Sequence, residues 1–367
     1  MVGLTLVTEP ADGRATTTIS ELGGWPEVLG RLFRREDLTS DEAGAALDSI
    51  LAGEAAPTQI AAFAASLRTK GETSQEMIGL VRTMRARGER IDLGPGLVDT
   101  CGSGGDRSGS INVSTMAAVI VAASGARVCK HGGRASSSIS GSADVFEALG
   151  VAVDLGPAGV TRCIEEVGIG FCLAPRFHPA MRHAAPVRRE LGVATVFNFL
   201  GPLANPAGAT RQLIGVGDPA MATRMVDVLE ANGTERAMVV FGHDGLDELS
   251  TVAASTVLET RVRTDGDGYD RLEYEIDSTE LGMRRAVREE LSGGTAEENA
   301  GIVRSVFGGE GGARRDFVSL NAAAALVVAG TAPDISSGID LAQSLIDDGS
   351  VTRTLDALIQ VSSALRT

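Results

Sequence analysis

Three observations predict an α/β fold joined to a small all-α domain, with a mostly parallel central sheet flanked by helices. Residues 25–90 carry only helical periodicity. From about Asp92, short apolar runs alternate with helical stretches, as they do when helices cover both faces of a parallel sheet. Residues 178–200 break that rhythm with a basic, helical stretch, where the chain is expected to cross back to the helical domain. The expected plan is a flexible tail over 1–20, a helical domain over 21–93 with about 178–200, and an α/β domain over 94–177 with 201–367.

The helical segment justifies itself in order. Trp25, Val28, Leu29, Leu32 and Phe33 recur on one helical face. Thr39 with Glu42 makes a capping box for a helix ending near Gly53. Thr58 opens a third helix, with Ile60, Phe63 and Leu67 inward and Gly71 at its stop. Thr73 with Glu76 caps a fourth. Beyond Asp92, strands are expected at 97–101, 126–130, 151–155, 171–174, 213–216 and 237–241. Helices are expected at 114–124, 142–149, 158–167 and 219–231. Asp265–Gly268 turns a hairpin between two alternating strands. The chain from about Ala296 reads as helix, with a stripe of Phe317, Leu320 and Ala324.

Composition excludes several functions. The formal charge of −15 repels nucleic acid and anionic membrane over most of the surface. Any phosphate must therefore be held locally. The four cysteines, Cys101, Cys129, Cys163 and Cys172, form no metal-binding spacing and fit a reducing compartment. No apolar run reaches the roughly 18–20 residues that span a bilayer. The N-terminus lacks an apolar signal core, so a cytoplasmic protein is expected.

Four segments carry candidate chemistry. Gly102-Ser103-Gly104-Gly105-Asp106 follows a strand and leads to a helix opening at Asn112-Val113-Ser114-Thr115. Such glycines bring backbone amides close to an anion, and the helix adds the positive end of its dipole. A plain capped βα turn would read the same way. Arg107 and the missing Gly-Lys-Ser/Thr exclude the dinucleotide and Walker spellings. Lys130-His131-Gly132-Gly133-Arg134 and the serines after it end a second strand, with cations and hydroxyls suited to pyrophosphate. Asp247-Glu248 ends a third, as a magnesium pair or as solvated surface. His178 to Gly192 is rich in arginine, as a carboxylate clamp or as a basic helix face.

The order and spelling of these segments resemble the anthranilate phosphoribosyltransferases. The shared motifs are Gly102–Asp106, Asn112–Thr115, Lys130–Arg134, Ser140–Asp144, Pro186–Gly192, Phe197–Pro206, Asp247-Glu248 and Gly293–Asn299. The likeness runs from about Trp25 to the C-terminus, and residues 1–20 lie outside it. It implies the nucleoside phosphorylase/phosphoribosyltransferase class of fold, with a helical N-terminal domain. It also implies transfer of a 5-phosphoribosyl group from phosphoribosyl pyrophosphate (PRPP) to anthranilate in tryptophan biosynthesis, with magnesium, in a homodimer.

The resemblance carries roles residue by residue. Gly102, Gly105, Asp106, Ser110, Asn112, Val113, Ser114 and Thr115 would hold the pyrophosphate end of PRPP. Lys130, His131, Gly132, Gly133, Arg134, Ser137, Ser138 and Ser142 would line its other side. Ser114, Asp247 and Glu248 would position magnesium. Gly102, His131, Gly133, Arg188 and Pro202 would face anthranilate, with Arg188 toward its carboxylate. No residue is assigned as general base, because the aromatic amine is already neutral at pH 7. At Gly133 the family places Asn, and the glycine opens space beside the aromatic ring. A pyrimidine nucleoside phosphorylase shares this architecture, but Asp247-Glu248 and Gly293–Asn299 favour the PRPP enzyme. A nucleic-acid-binding relative is opposed by the net charge.

Overall fold

The computed structural model describes residues 17–104, 106, 108–135 and 139–366. Helices α1 (Trp25–Phe33), α2 (Ser40–Ala52), α3 (Pro57–Lys70) and α4 (Ser74–Arg87) come first. Then follow β1 (Val98–Gly102), α5 (Val113–Ala123), β2 (Val128–Gly132), α6 (Ser142–Leu149), α7 (Pro157–Val167) and β3 (Ile169–Leu173). The short α8 (Ala174–Phe177), α9 (Ala185–Leu191) and α10 (Val196–Leu203) precede β4 (Arg211–Gly215). After α11 (Ala222–Ala231) come β5 (Arg236–Gly242), β6 (Ser255–Val262) and β7 (Tyr269–Ile276). The chain closes with α12 (Ala296–Phe307), α13 (Ala313–Ala329), α14 (Ile335–Asp347) and α15 (Ser350–Ala364).

The chain packs as two units. One takes the residues up to Gly88 together with His178–Leu200. Its helices begin where side chains satisfy their first amides: Thr39 and Thr73 each accept from the amide three residues on, and Glu42 and Glu76 reach back. The third helix starts at Pro57 rather than at Thr58, because proline at the first position loses no helical hydrogen bond. Trp25 packs edge-on to Phe63 at 5.8 Å, joining α1 to α3. Among the residues of the expected 1–20 tail, 1–16 lie outside the described ones, and Thr18 turns the chain through bonds to Glu21.

The other unit takes Glu89–Phe177 with Gly201–Thr367. Its sheet has the order β3-β2-β1-β4-β5-β6-β7. Pairing is parallel from β3 to β5, and antiparallel where β6 and β7 form the expected hairpin. The chain winds from β1 outward to β3, then returns to place β4 against the other side of β1. That reversal opens a crevice at the carboxyl ends of β1 and β4. Helix α13 is buried from Phe317 to Ala329, as a helix apolar all round must be.

One expected strand is absent. Residues 151–155, buried except for the exposed Asp154, are unpaired with the sheet. The Val151 amide donates to Phe146 and the Ala152 amide to the Ser362 hydroxyl of α15, so helices satisfy this backbone. The other expected strands are shifted by only one or two residues. The expected helix over 219–231 opens as a 3-10 turn, Pro219–Met221, before α11.

Gly79 marks a close approach of α4 to α2: a methyl group there would stand 1.8 Å from the Ser40 carbonyl oxygen. Alanine improves helix propensity by roughly 1 kcal/mol, yet overpacking costs about 1–3 kcal/mol. Gly79→Ala is therefore expected to lower the urea midpoint; a raised midpoint would contradict this packing.

Candidate active site

Two glycines and one aspartate build the crevice. Gly102 and Gly215 end β1 and β4 in register with each other. A Cβ on Gly215 would sit 1.5 Å from the Asp247 carbonyl oxygen, and one on Gly102 would sit 2.5 Å from Asp247 Oδ2. Only glycine lets the loop after β5 lie across both strand ends. The Gly104 amide, at φ 67°, donates to Asp247 Oδ2 at 2.8 Å and fixes the loop after β1 to the same carboxylate. From α13, Asn321 holds that acidic loop by both backbone groups of Leu249: it accepts from the amide at 3.0 Å and donates to the carbonyl at 2.9 Å.

Asp106, Asp247 and Glu248 converge, each with a carboxylate oxygen within 4.8 Å of the others. Asp106 Oδ2 and Glu248 Oε2 are buried without a hydrogen-bond partner among the described residues. Burial, then the Asp106 charge, pushes Asp247 up to about 7. Burial and the charges of Asp247, Asp106 and Asp244 push Glu248 well above the usual carboxylate range. Oxygen ligands crowded this way suit a hard divalent cation such as magnesium. Ser114, Gly102, Asp247 and Glu248 line one small cavity.

Helix α5 points its N-terminus into this region. Asn112 is its N-cap, yet no side chain bonds the first amides. Val113 and Thr115 are buried, and their amides donate to the carbonyls of Ile111 and Asn112, which leaves the Ser114 amide to meet an anion. Ser110 accepts a bond from Ser108 Oγ at 3.0 Å and bridges to Ser292.

The end of β2 forms a second wall. Asp99, fully buried, accepts from the His131 amide at 3.0 Å and from Asn205 Nδ2 at 2.7 Å. Burial raises Asp99 and lowers Lys130, and each charge offsets the other's desolvation. Lys130, 1% exposed, donates to the Thr100 carbonyl at 2.6 Å and lies 3.4 Å from Ser114 Oγ. His131 Nδ1 lies 3.1 Å from the Gly201 carbonyl. A carbonyl only accepts, so Nδ1 carries the proton in the neutral ring. Gln212 donates to the carbonyl of Pro202 next in sequence, so His131 and Pro202 come together.

Other expected residues fall as follows. Ser142, at the start of α6, packs against Gly132, where a Cβ would stand 3.3 Å from its Oγ. Arg134 is half exposed and paired with Asp144 at 3.0 Å and Glu147 at 2.7 Å. A side chain at Gly133 would meet nothing within 4 Å, and its φ is not positive, so the fold does not require glycine there. Gly105, Ser137 and Ser138 lie outside the described residues. Arg188 belongs to the other unit, 5.9 Å from the Phe197 ring, where burial pushes its guanidinium down. Sequence reasoning assigned no role to Asp99, Asn205 or Asn321, although Asn205 falls within the Phe197–Pro206 motif. Asn321 left a trace, as the one amide in the apolar run 317–329. A roomier cleft of about 710 Å³ runs along α12, lined by Glu290, Glu298, Glu310, Arg314 and Arg315. Its charges are mixed, and the acidic cluster lies elsewhere.

Residues 26–88 match the "Glycosyl transferase family, helical bundle domain", and 94–352 the "Glycosyl transferase family, a/b domain". The anthranilate phosphoribosyltransferase of Roseiflexus castenholzii is 48% identical over 92% of this chain and 98% of its own length. That of Thermus thermophilus superposes with a TM-score of 0.84 at 40% identity, covering 91% of this chain and 99% of the other. The Saccharomyces cerevisiae enzyme, solved in complex with PRPP and magnesium, gives a TM-score of 0.83 at 25% identity, covering 93% and 98%.

Gly215→Ala is expected to lift the Asp247 loop off β4 and to destabilise the protein by about 1–3 kcal/mol through overpacking. Urea unfolding measures it. An unchanged midpoint would mean that the loop is not seated on the strand ends.

Proposed function

The chain belongs to the family of anthranilate phosphoribosyltransferases, and we propose on that premise that it transfers the 5-phosphoribosyl group of PRPP to the amine of anthranilate, releasing pyrophosphate, as a step of tryptophan biosynthesis. The observation that carries this reading is the convergence of Asp106, Asp247 and Glu248 at the ends of β1 and β4. A bond forms between the amine nitrogen and the anomeric carbon while the bond from that carbon to pyrophosphate breaks. The amine is neutral at pH 7, so no strong base is required. Catalysis then rests on placing the reactants and stabilising the leaving group.

The N-terminus of α5 binds the pyrophosphate beside the Gly102–Gly104 loop, whose Ser103 and Gly104 amides are taken by Gly215 and Asp247. Asp106, Asp247 and Glu248, with Ser114 beside them, would hold magnesium. When bound, the ion neutralises charge developing on the departing oxygens. Lys130 anchors Ser114 and the end of β1, and Arg134 orders the start of α6 through Asp144. Gly102, His131, Gly133 and Pro202 receive the aromatic ring. Arg188 receives its carboxylate, a role supported by its partial burial and its place beside Phe197. A homodimer is part of the reading, supported by Phe33, which is 66% exposed at the end of α1. So is a cytoplasmic setting, supported by four free cysteines.

Loss of anthranilate fluorescence in the presence of PRPP and magnesium tests the activity; no loss overturns it. Asp247→Asn with Glu248→Gln is expected to keep the fold and to cut turnover at least about 100-fold, or about 2.7 kcal/mol. Near-normal rates at low magnesium would remove these residues from the metal site. Arg188→Ala is expected to raise the Michaelis constant for anthranilate by the roughly 1.5–3 kcal/mol of a lost charge-assisted bond. The constant for PRPP should move little, and equal changes in both would make Arg188 structural.

A further inference from the structure

Asn299, in the first turn of α12, is 3% exposed and far from the acidic cluster in sequence. Its Nδ2 donates to Asn112 Oδ1 and to Ser140 Oγ, both at 2.8 Å. Its Oδ1 accepts from the Gly294 amide at 2.8 Å. That last bond orients the amide, because only the oxygen can face an N–H. Asn112 completes the joint by donating to the Ser140 carbonyl at 3.1 Å. Glycine at 293 is part of the fit, since a Cβ there would stand 2.7 Å from Asn299 Oδ1. One buried amide thus ties together the start of α5, the loop between β2 and α6, and the turn before α12.

The joint explains an oddity of α5. Asparagine is a strong N-cap because its side-chain oxygen accepts from an amide in the first helical turn. Asn112 stands at that position and makes no such bond. Its oxygen receives a proton of Asn299 instead, and its own amide is turned toward Ser140. The Val113 and Thr115 amides already donate to the carbonyls of Ile111 and Asn112, at 2.7 and 3.0 Å, and among the described residues no such bond takes the Ser114 amide. We infer that Asn299 is a positioning residue: it holds the Asn112 side chain away from the α5 N-terminus and so keeps the Ser114 amide open to the phosphates of PRPP. The inference rests on the phosphoribosyl-transfer reading. Asn299 does not touch the reacting atoms. Without it, Asn112 is free to turn and cap α5, competing with the anion for the Ser114 amide.

A self-capping helix is not a less stable one, so the expected signature separates affinity from stability. Asn299→Ala is expected to raise the Michaelis constant for PRPP at least about tenfold. The constant for anthranilate should change less than about twofold, and the melting temperature by no more than a few degrees. Ser140→Ala keeps the bond from Asn299 to Asn112 and the Ser140 carbonyl, so it is expected to change the PRPP constant less than about threefold. Equal effects of the two variants, or a fall in stability with both constants unmoved, would overturn the inference. Asn299→Asp keeps the Gly294 bond and removes the donor. It is read in the same assays should Asn299→Ala not fold, and failure of both to fold assigns Asn299 to stability and ends the proposal. Calorimetry with PRPP and magnesium separates the two claims. A native protein that binds no PRPP overturns both, whereas native and Asn299→Ala proteins that bind it equally tightly overturn the positioning role alone.

Discussion

Three carboxylates in one partly buried corner are the constraint around which the ligand end of the sheet is arranged. Burial, and then the neighbouring carboxylate charges, raise the affinity of Asp247 and Glu248 for protons. A divalent cation removes that repulsion. The fold keeps the carboxylates together before any cation arrives, by means that are local and steric. Glycine at 102 and 215 lets the Asp247 loop lie on two strand ends, and Asn321 grips the loop from α13. The repulsion is thus held in place by packing and hydrogen bonds that act on backbone rather than on the carboxylates themselves.

The same constraint reconciles an acidic protein with an acidic ligand. A net charge of −15 opposes a pyrophosphate at long range. The cations nearest the second wall do not reverse that field. Lys130 is buried against Asp99, and Arg134 is matched by Asp144 and Glu147. What remains for an anion is the positive end of a helix, with the Ser114 amide at it, and a place for a divalent ion. Both act over a few ångströms, where desolvation makes them strong.

Buried polar side chains give the site its shape. Asp99 joins the backbone of β2 to Asn205 and so to the turn that follows α10, the helix carrying Pro202. Each of its oxygens has a donor, which is the condition under which a buried polar group specifies one arrangement instead of weakening it. The His131 ring is oriented by the same set of contacts, through the Gly201 carbonyl.

The sequence by itself determined what depends on near neighbours. The capping pairs Thr39 with Glu42 and Thr73 with Glu76 place two helices because their bonds span three residues. The apolar runs of β1 to β5 and the chemistry-bearing loops after them were legible for the same reason, as was the family likeness that those loops spell. Residues 151–155 were misread because an apolar run suits a strand and a buried coil equally. Only the presence of Phe146 and Ser362 as backbone partners decided between them. The meeting of Asp106 with Asp247 and Glu248 was likewise out of reach, although each was named for its own motif. It follows from β4 returning to the side of β1, which brings Gly104 to Asp247 across 143 residues of chain. Local pattern carries no record of which strands become neighbours, because that is settled by how the whole sheet buries its two faces.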